Sequence, residues 1–383
     1  MRTGVFLFGG VEMPDAGSGP PAPTDRRYTQ QQMWDATLQI LDAGVAAEQA
    51  GFDSFWWTEH HFQHEGYEVI PNGLMLAAVL AERTQRIRIG SMFNIVGQWN
   101  PLRLAEDFAT MHNLSKGRGI LGVGRGTVPR EAQTLGTRIG SFDNPDKAAD
   151  DEFNRAQFDE AMEVIRLAFA NESFRFHGDH FSFPPPGIPD RGGTVQELTL
   201  VPRPLYPFET WQAITSPPTL DAVPKKGFGG VMWLKHFQFM KQYWDRYAAV
   251  YEDTHGRTLA PGEKRMLVIC PRIEDTHEEA WRTARNGHDE FWKFLGPYGW
   301  SRGYMGPDGK PSPAGLIPTL EESVDNRVWI IGSPDEVVEQ MRWYIDYLGG
   351  VTDLSLFINF PGDSYKQTQE QMFRWSEQVA PHL

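Results

Sequence analysis

Residues 52–62, FDSFWWTEHHF, carry an apolar run straight into an acid and two adjacent histidines. The segment up to Thr58 has the composition of a buried strand, because aromatic side chains suit the pleated surface of a sheet. A packed strand requires no such polar ending, whereas a catalytic site at the end of a strand does. In a barrel of parallel strands, the carboxyl ends of the strands face the active site. Glu59, His60 and His61 are therefore candidates for such a site.

Strand-like and helix-period segments alternate along almost the whole chain of 383 residues. Strands are predicted at residues 4–8, 52–58, 87–93, 118–124, 210–215, 229–233, 266–270 and 353–360. Eight strands with intervening helices predict an α/β fold, a (β/α)8 TIM barrel with insertions at its C-terminal mouth, formed by residues 1–383 as a single domain. A doubly wound sheet with an added domain is the competing architecture. It needs a composition break or a linker near the middle, and the sequence has none.

The composition argues against several classes of protein. A net charge of −14 disfavours a nucleic-acid partner, because phosphate backbones need concentrated Lys and Arg. The single cysteine, Cys270, rules out an intramolecular disulfide, and the longest apolar run, residues 73–81, is too short to span a bilayer. Adjacent residues of an extended chain point to opposite sides, so His60 and His61 cannot easily share a metal ion. We expect a cytoplasmic enzyme without metal, membrane or nucleic-acid partners.

Two long connections are rich in Gly and Pro, at residues 9–29 and 296–327. Long segments of this kind in a compact barrel tend to be binding loops or lids. We expect residues 296–327 to close over the substrate. Their aromatic residues Tyr298, Trp300 and Tyr304 suggest a small apolar organic substrate.

A phosphate-binding arrangement is predicted at two neighbouring strand ends. Arg125, in GVGRG (122–126), offers a bidentate grip on phosphate. One strand later, SPPT (216–219) places Ser216 and Thr219 at a helix start, where free amides bind anions. Together these features slightly favour a ligand that bears phosphate.

The segment GRGILG (117–122) matches the glycine pattern of a dinucleotide-binding turn. That turn must follow a strand and open a helix, whereas these glycines run through the predicted strand itself. We therefore reject the match. The small residues are expected to let another group lie close against the barrel mouth.

Three blocks resemble the luciferase-like flavin monooxygenase family, which includes the α chain of bacterial luciferase. They are TEHHF (58–62), NPLRLAEDFATMHNLSKGR (100–118) and GVGRG (122–126), and the resemblance continues through IIGSPDEVVEQM (330–341). It implies a single barrel that binds reduced FMN at its C-terminal mouth. Gly124 stands where luciferase has a reactive thiol, and Thr215 stands where luciferase has an acid.

The resemblance also implies residue roles. His60 matches the active-site histidine beside the flavin, and Glu59 is expected either to orient a histidine or to form a hydrogen bond behind the site. Met92–Phe93 falls where luciferase has a cis peptide bond under the flavin ring, and Trp233 is expected to pack against the ring. The full set of implied cofactor-binding residues is Met92, Phe93, Asn94, Arg125, Gly126, Thr215, Ser216, Thr219 and Trp233.

The reaction implied by the resemblance has two components. A separate NAD(P)H-dependent flavin reductase supplies FMNH2, and O2 adds at the flavin 4a position to give a (hydro)peroxide. His60 acts on this species as a general base or hydrogen-bond partner with a pKa near the working pH. The outcome is either Baeyer–Villiger insertion or hydroxylation. A homodimer is expected from the family.

Three rival functions stay open from the sequence. A deazaflavin-dependent oxidoreductase of the same superfamily would transfer hydride without oxygen. A non-catalytic flavin-binding barrel, like the second luciferase chain, would need no histidine base. A glycosidase would need a second acid opposite Glu59.

Overall fold

The computed structural model describes residues 1–17, 26–140, 146–304, 310–313 and 316–383. Fourteen strands occur in these ranges, and most are short. They are β1 Arg2–Leu7, β2 Ser54–Trp57, β3 Arg88–Ser91, β4 Asn94–Ile95, β5 Gly119–Gly124, β6 Phe176–His177, β7 Ser182–Phe183, β8 Pro189–Asp190, β9 Gly193–Thr194, β10 Thr210–Ala213, β11 Gly229–Met232, β12 Arg265–Ile273, β13 Trp329–Gly332 and β14 Asp353–Phe357.

Eight of these strands form a closed parallel barrel. Its order is β1, β2, β3, β5, β10, β11, β12 and β14, and β14 pairs with β1 to complete the circle. The junction between β5 and β10 is parallel, with Thr210 opposite Leu121. The predicted (β/α)8 TIM barrel is therefore confirmed, and each barrel strand overlaps one of the eight predicted strands.

Eleven helices surround the strands of the described residues. They are α1 Gln30–Gln49, α2 Gly73–Arg83, α3 Pro101–Leu114, α4 Pro129–Thr134, α5 Lys147–Ala170, α6 Pro217–Lys225, α7 Phe237–His255, α8 His277–Leu295, α9 Leu320–Asp325, α10 Pro334–Leu348 and α11 Tyr365–Arg374. Several begin with a side chain that caps the free amides of the first turn, as Thr29 does for α1 and Ser333 for α10. None of the described helices has the length and apolar character needed to cross a membrane.

The longest strand outside the barrel, β13, was not predicted from the sequence. β13 pairs with the second half of β12, where Cys270 lies opposite Trp329, whereas the first half of β12 pairs with β14. Its four residues give too short a run for a periodic pattern to separate strand from helix. The extra strand widens the sheet at the mouth.

The core has two layers because successive strand residues point to opposite faces. Val5 and Leu7 of β1 pack outward against the helices, whereas Phe6 points into the barrel. β2 follows the same rule, with Trp57 outside and Trp56 inside. The aromatic run that opened the sequence thus fills both layers.

The glycines of β5 are needed for close packing at the mouth. A Cβ atom built on Gly122 would lie 1.9 Å from the backbone oxygen of Ser91, and one on Gly124 would lie 3.0 Å from Cβ of Phe93. The group that approaches the strand is therefore the chain's own segment after β3. Close packing against the chain itself therefore explains Gly122, the last glycine of the segment GRGILG (117–122), without a bound dinucleotide.

A buried ionic cluster attaches the connection after β1 to helix α8. Arg26 donates to Glu290 Oε1 at 2.8 Å and to Asp15 at 2.9 Å, and the Tyr67 hydroxyl donates to the same oxygen of Glu290 at 2.5 Å. Residue Gly17 adds a backbone donor to the other carboxylate oxygen, at 3.0 Å. The described part of residues 9–29 is thereby fixed beside the mouth.

Candidate active site

A cavity opens at the C-terminal mouth of the barrel, and its empty space together with the open solvent at its entrance is about 1090 Å³. Its wall comes from the ends of successive strands and from the loops that follow them, where the sequence placed the site. Eight of the eleven predicted site residues line it, namely His60, Met92, Phe93, Arg125, Gly126, Thr215, Thr219 and Trp233. Glu59, Asn94 and Ser216 do not.

His60 lies on the cavity wall between two carboxylates. Its Nδ1 is 3.1 Å from both oxygens of Glu131, and its Nε2 is 3.1 Å from Oε2 of Glu68. The chain after β2 folds back so that the backbone N–H of His60 donates to the oxygen of Ile70 at 3.0 Å. This turn places Glu68 against the ring, and α4 brings Glu131 to the other side.

The two carboxylates decide the charge of His60. Burial disfavours the imidazolium, but the charges of Glu68 and Glu131 outweigh burial and raise the pKa of His60 to about 9. At neutral pH the ring is therefore protonated on both nitrogens and acts as a hydrogen-bond donor. Of the two roles expected for His60, a pKa of about 9 favours that of hydrogen-bond partner over that of general base.

The two carboxylates differ from each other. Burial raises the pKa of Glu68 to about 7, although the His60 charge opposes this shift. Glu131 is also buried, but its contacts with His60 and the 2.8 Å hydrogen bond from Gln63 lower its pKa. Glu131 therefore stays ionised near neutral pH and is the counter-ion of His60, whereas Glu68 gains or loses a proton near neutral pH.

Sequence reasoning missed both acids. Glu68 belongs to the loop after β2, and Glu131 lies on the first helix after β5. Their positions in connections that follow barrel strands were a usable signal, since these loops build barrel active sites. Neither residue lies in a motif, so the signal was weaker than that of the paired histidines.

Glu59 faces away from the cavity. Its side chain is fully buried and accepts a hydrogen bond from the Trp99 indole at 2.8 Å. Among the described residues, the carboxylate of Glu59 also lies 3.4 Å from His61, measured from Oε1 to Nε2. Glu59 is therefore placed to orient His61, Glu131 is placed to orient His60, and the catalytic role of Glu59 stays a prediction.

The segment after β3 forms one side of the mouth. The Met92–Phe93 peptide bond is cis, as the resemblance implied, and both residues line the cavity. Asn94 is buried behind them, where its amide donates to the oxygen of Gly122 at 2.8 Å. Asn94 thus supports this segment from behind the cavity wall.

A second, basic pocket adjoins the first. It has an empty volume of about 940 Å³, and its charged lining residues are Arg125, Lys147, Asp151, Lys235 and Arg302. The guanidinium of Arg125 donates to Asn154 Oδ1 at 3.2 Å. Burial and the nearby Arg155 lower the pKa of Arg125. A bound anion would stabilise the charged form of Arg125, which burial and Arg155 disfavour.

Ser216 and Thr219 form the capping box of α6. The Thr219 hydroxyl donates to the oxygen of Ser216 at 2.8 Å and accepts from its N–H at 3.1 Å. The Thr219 hydroxyl is thus engaged in the helix cap, and its role in phosphate binding stays a prediction. Ser216 lines the basic pocket, and Thr215 lines both pockets.

Aromatic side chains make up much of the cavity wall. The Trp233 ring lies 5.4 Å from the ring of Phe6 and 6.3 Å from that of Trp300, and Tyr298 lines the same space. Tyr304 was expected to face the substrate with Tyr298 and Trp300, but this expectation is wrong. Tyr304 is buried away from the cavity, and its hydroxyl donates to Ser323 at 3.1 Å. Within the predicted lid, residues 305–309 and 314–315 lie outside the described residues.

The cavity suits a flavin ring and its phosphate. Gln212 lines the cavity and is buried, and its Oε1 has no hydrogen-bond partner within the described chain. A polar ring edge would satisfy this oxygen, and the basic pocket next to it would take a phosphate. Across residues 1–17, 26–140, 146–304, 310–313 and 316–383, no three metal-binding side chains cluster.

The mouth lies at the end of the barrel where enzymes of this architecture carry out their chemistry, which defines the chain as a barrel enzyme. Residues 1–349 match the family model described as luciferase-like monooxygenase. The chain therefore belongs to this family of oxidoreductases, as the sequence resemblance predicted.

Two curated relatives cover nearly the whole chain and have different activities in their names. F420-dependent glucose-6-phosphate dehydrogenase of Amycolatopsis mediterranei (strain U-32) is 28% identical over 357 residues, covering 90% of this chain and 94% of that protein. 3,6-Diketocamphane 1,6-monooxygenase of Pseudomonas putida is 26% identical over 362 residues, covering 90% of this chain and 92% of that protein.

A solved structure shares the fold. It is the oxygenating constituent of 3,6-diketocamphane monooxygenase from the CAM plasmid of Pseudomonas putida, a type II Baeyer–Villiger monooxygenase, in complex with FMN. It superposes with a TM-score of 0.75 at 21% identity, over 100% of this chain and 98% of that one.

Proposed function

We propose that the chain is the oxygenating component of a two-component monooxygenase. It receives reduced FMN from a separate NAD(P)H-dependent reductase and uses O2 to oxygenate an organic substrate. The observation that carries this proposal is the position of His60, between Glu68 and Glu131 on the wall of a largely aromatic cavity and directly beside a basic pocket. The relative from Pseudomonas putida that is named as a monooxygenase supports it.

In this proposal the flavin ring occupies the mouth cavity and its phosphate enters the basic pocket. Arg125, Thr215 and Ser216 would hold the phosphate, and Gln212 would bind the polar edge of the ring. Met92 and Phe93 would support one side of the ring and Trp233 the other. Reduced FMN, when bound, supplies the two electrons that activate O2.

The side chains of the cavity would then perform two tasks. The aromatic wall excludes water, which strengthens every hydrogen bond inside the cavity and limits wasteful loss of reducing equivalents. The imidazolium of His60 would donate its Nε2–H to an oxygen that gains negative charge, in place of the present contact with Glu68 Oε2, while Glu68 keeps a proton available at the same wall. Either Baeyer–Villiger insertion or hydroxylation is compatible with these tasks.

The placement of the phosphate is tested by equilibrium binding of FMN and of riboflavin, which lacks the phosphate. Arg125→Met should weaken FMN binding at least about tenfold and leave riboflavin binding nearly unchanged, because a charge-assisted hydrogen bond contributes roughly 1.5 to 3 kcal/mol. Arg103→Met, which alters an arginine on the outer surface, is the matched control. Equal affinity of the wild type for FMN and riboflavin would contradict this placement.

F420-dependent hydride transfer is the second candidate. It is favoured by the relative from Amycolatopsis, which covers 90% of the chain. Titration of the protein with F420 and with FMN separates the two, because this candidate predicts tighter binding of F420 and oxidation of FMNH2 by O2 no slower than that of the free flavin. A flavin-binding barrel without activity would bind FMN but form no oxygenated product in coupled turnover.

We further propose a cytoplasmic homodimer and a closing role for residues 296–327. Light scattering of the purified chain distinguishes a dimer from a monomer. Limited proteolysis with and without FMN tests the lid, since closure should protect this segment from cleavage.

A further inference from the structure

We propose that Lys235 forms a second anion site, which binds an anionic end group of the substrate next to the flavin phosphate. This inference rests on the proposed function and refines its substrate class. The substrate would have an apolar reacting part and a terminal carboxylate, sulfonate or phosphate.

Lys235 is a buried cation without a counter-ion. It follows β11, and only 7% of the residue is exposed. Its ammonium lies 4.4 Å from the centre of the Tyr243 ring, and the described residues give it no ion pair and no hydrogen bond. Burial alone lowers its pKa to about 8. Buried charges are nearly always paired, so this ammonium lacks the partner that a ligand would provide.

The fold holds Lys235 in place. The backbone N–H of His236 donates to the oxygen of Gly303 at 2.8 Å. A Cβ atom on Gly303 would lie 1.8 Å from the oxygen of Leu234, so the segment Trp300–Gly303 is in direct contact with the loop that carries Lys235. The backbone that carries Lys235 is therefore held in place before any ligand arrives, which lowers the entropic cost of binding.

Lys235 lies in a different part of the basic pocket from the residues assigned to the flavin phosphate. Arg125 and Ser216 follow β5 and β10, whereas Lys235 follows β11. A phosphate held by Arg125 and Ser216 would therefore leave the ammonium of Lys235 available to a second anion.

The basic pocket also continues into the aromatic cavity. Trp233, Tyr298 and Trp300 line both spaces. A ligand with its reacting part beside His60 and its charged end at Lys235 would lie against these three shared aromatic side chains. An amphiphilic organic anion fits that path better than a neutral hydrocarbon does.

The test is titration of the full-length protein, saturated with FMN, with sodium sulfate as the anion probe at constant ionic strength. Isothermal titration calorimetry follows binding. We expect sulfate to bind the wild type and Lys235→Arg, and to bind Lys235→Met at least about tenfold more weakly. Lys241→Met, on an exposed ion pair with Asp245, is the matched control and should bind like the wild type. Circular dichroism spectra confirm that the variants are folded.

The possible results separate the inference from the proposed function. If Lys235→Met weakens FMN binding and leaves sulfate binding unchanged, Lys235 belongs to the flavin phosphate site and the second site is overturned. The same holds if sulfate does not bind the FMN-saturated wild type. If FMN itself does not bind, the proposed function fails, and sulfate binding to the FMN-free protein still decides the role of Lys235.

Discussion

The replacement Glu131→Gln tests how the mouth sets the charge of His60. The glutamine keeps the size of Glu131 and can still accept a hydrogen bond from Nδ1, but it removes one of the two negative charges at 3.1 Å from the ring. Because burial continues to oppose the imidazolium, we expect the pKa of His60 to fall from its value of about 9. The direction of the shift follows from electrostatics alone.

The size of the shift can be bounded. Two unit charges about 4 Å apart interact by roughly 4 kcal/mol at an effective dielectric constant of about 20. Since one pKa unit corresponds to about 1.36 kcal/mol, full loss of that interaction is worth roughly three units. The retained hydrogen bond and the remaining charge of Glu68 reduce the loss, so a fall of about one to three units is expected.

The assay is an NMR titration of the histidine rings, with the His60 signals assigned by their absence in His60→Gln. Glu65→Gln is the control, because Glu65 lies in the same loop but pairs with Arg130 at 2.9 Å. It should leave the pKa of His60 nearly unchanged. A wild-type value near 6.5, or equal values in the wild type and Glu131→Gln, would refute the charge assignment.

Three further predictions concern stability. The pKa of His60 is about 9 in the folded protein, above its ordinary value of 6.5. As the pH rises from 6.5 to 9, the free energy of unfolding should therefore fall by up to about 1.4 kcal/mol per pH unit. Urea unfolding of His60→Gln over the same pH range should lack that fall. Gly122→Ala should cost about 1 to 3 kcal/mol or more by overpacking, whereas Gly193→Ala, whose nearest neighbour would be 3.7 Å away, should cost little in the same assay. Asp363→Asn should cost roughly 3 to 5 kcal/mol by leaving buried Arg272 unpaired, and an unchanged thermal midpoint would contradict this.

The barrel was predictable because its signals are local. Each strand alternates between the two core layers, and helices begin at residues such as Ser333 whose side chains cap them. The short strand β13 was missed, since its pairing with β12 is a long-range contact that leaves no periodic trace in four residues.

The site was predictable only in part. Motifs identified His60 and Arg125, which lie at strand ends and line the mouth. The acids Glu68 and Glu131 and the buried Lys235 were missed, because their importance arises from contacts between loops that are distant in sequence. The role of Glu59 stays a prediction, since its carboxylate contacts His61 and Trp99 behind the cavity wall.

The central claim is that this mouth holds reduced FMN and controls its reaction with O2. The most direct measurement is to load the protein with FMNH2 without oxygen, mix it rapidly with oxygenated buffer, and follow the flavin absorbance. We predict that bound flavin returns to the oxidised spectrum more slowly than free FMNH2, and that His60→Ala shortens this delay. Oxidation as fast as that of free FMNH2 would contradict the account.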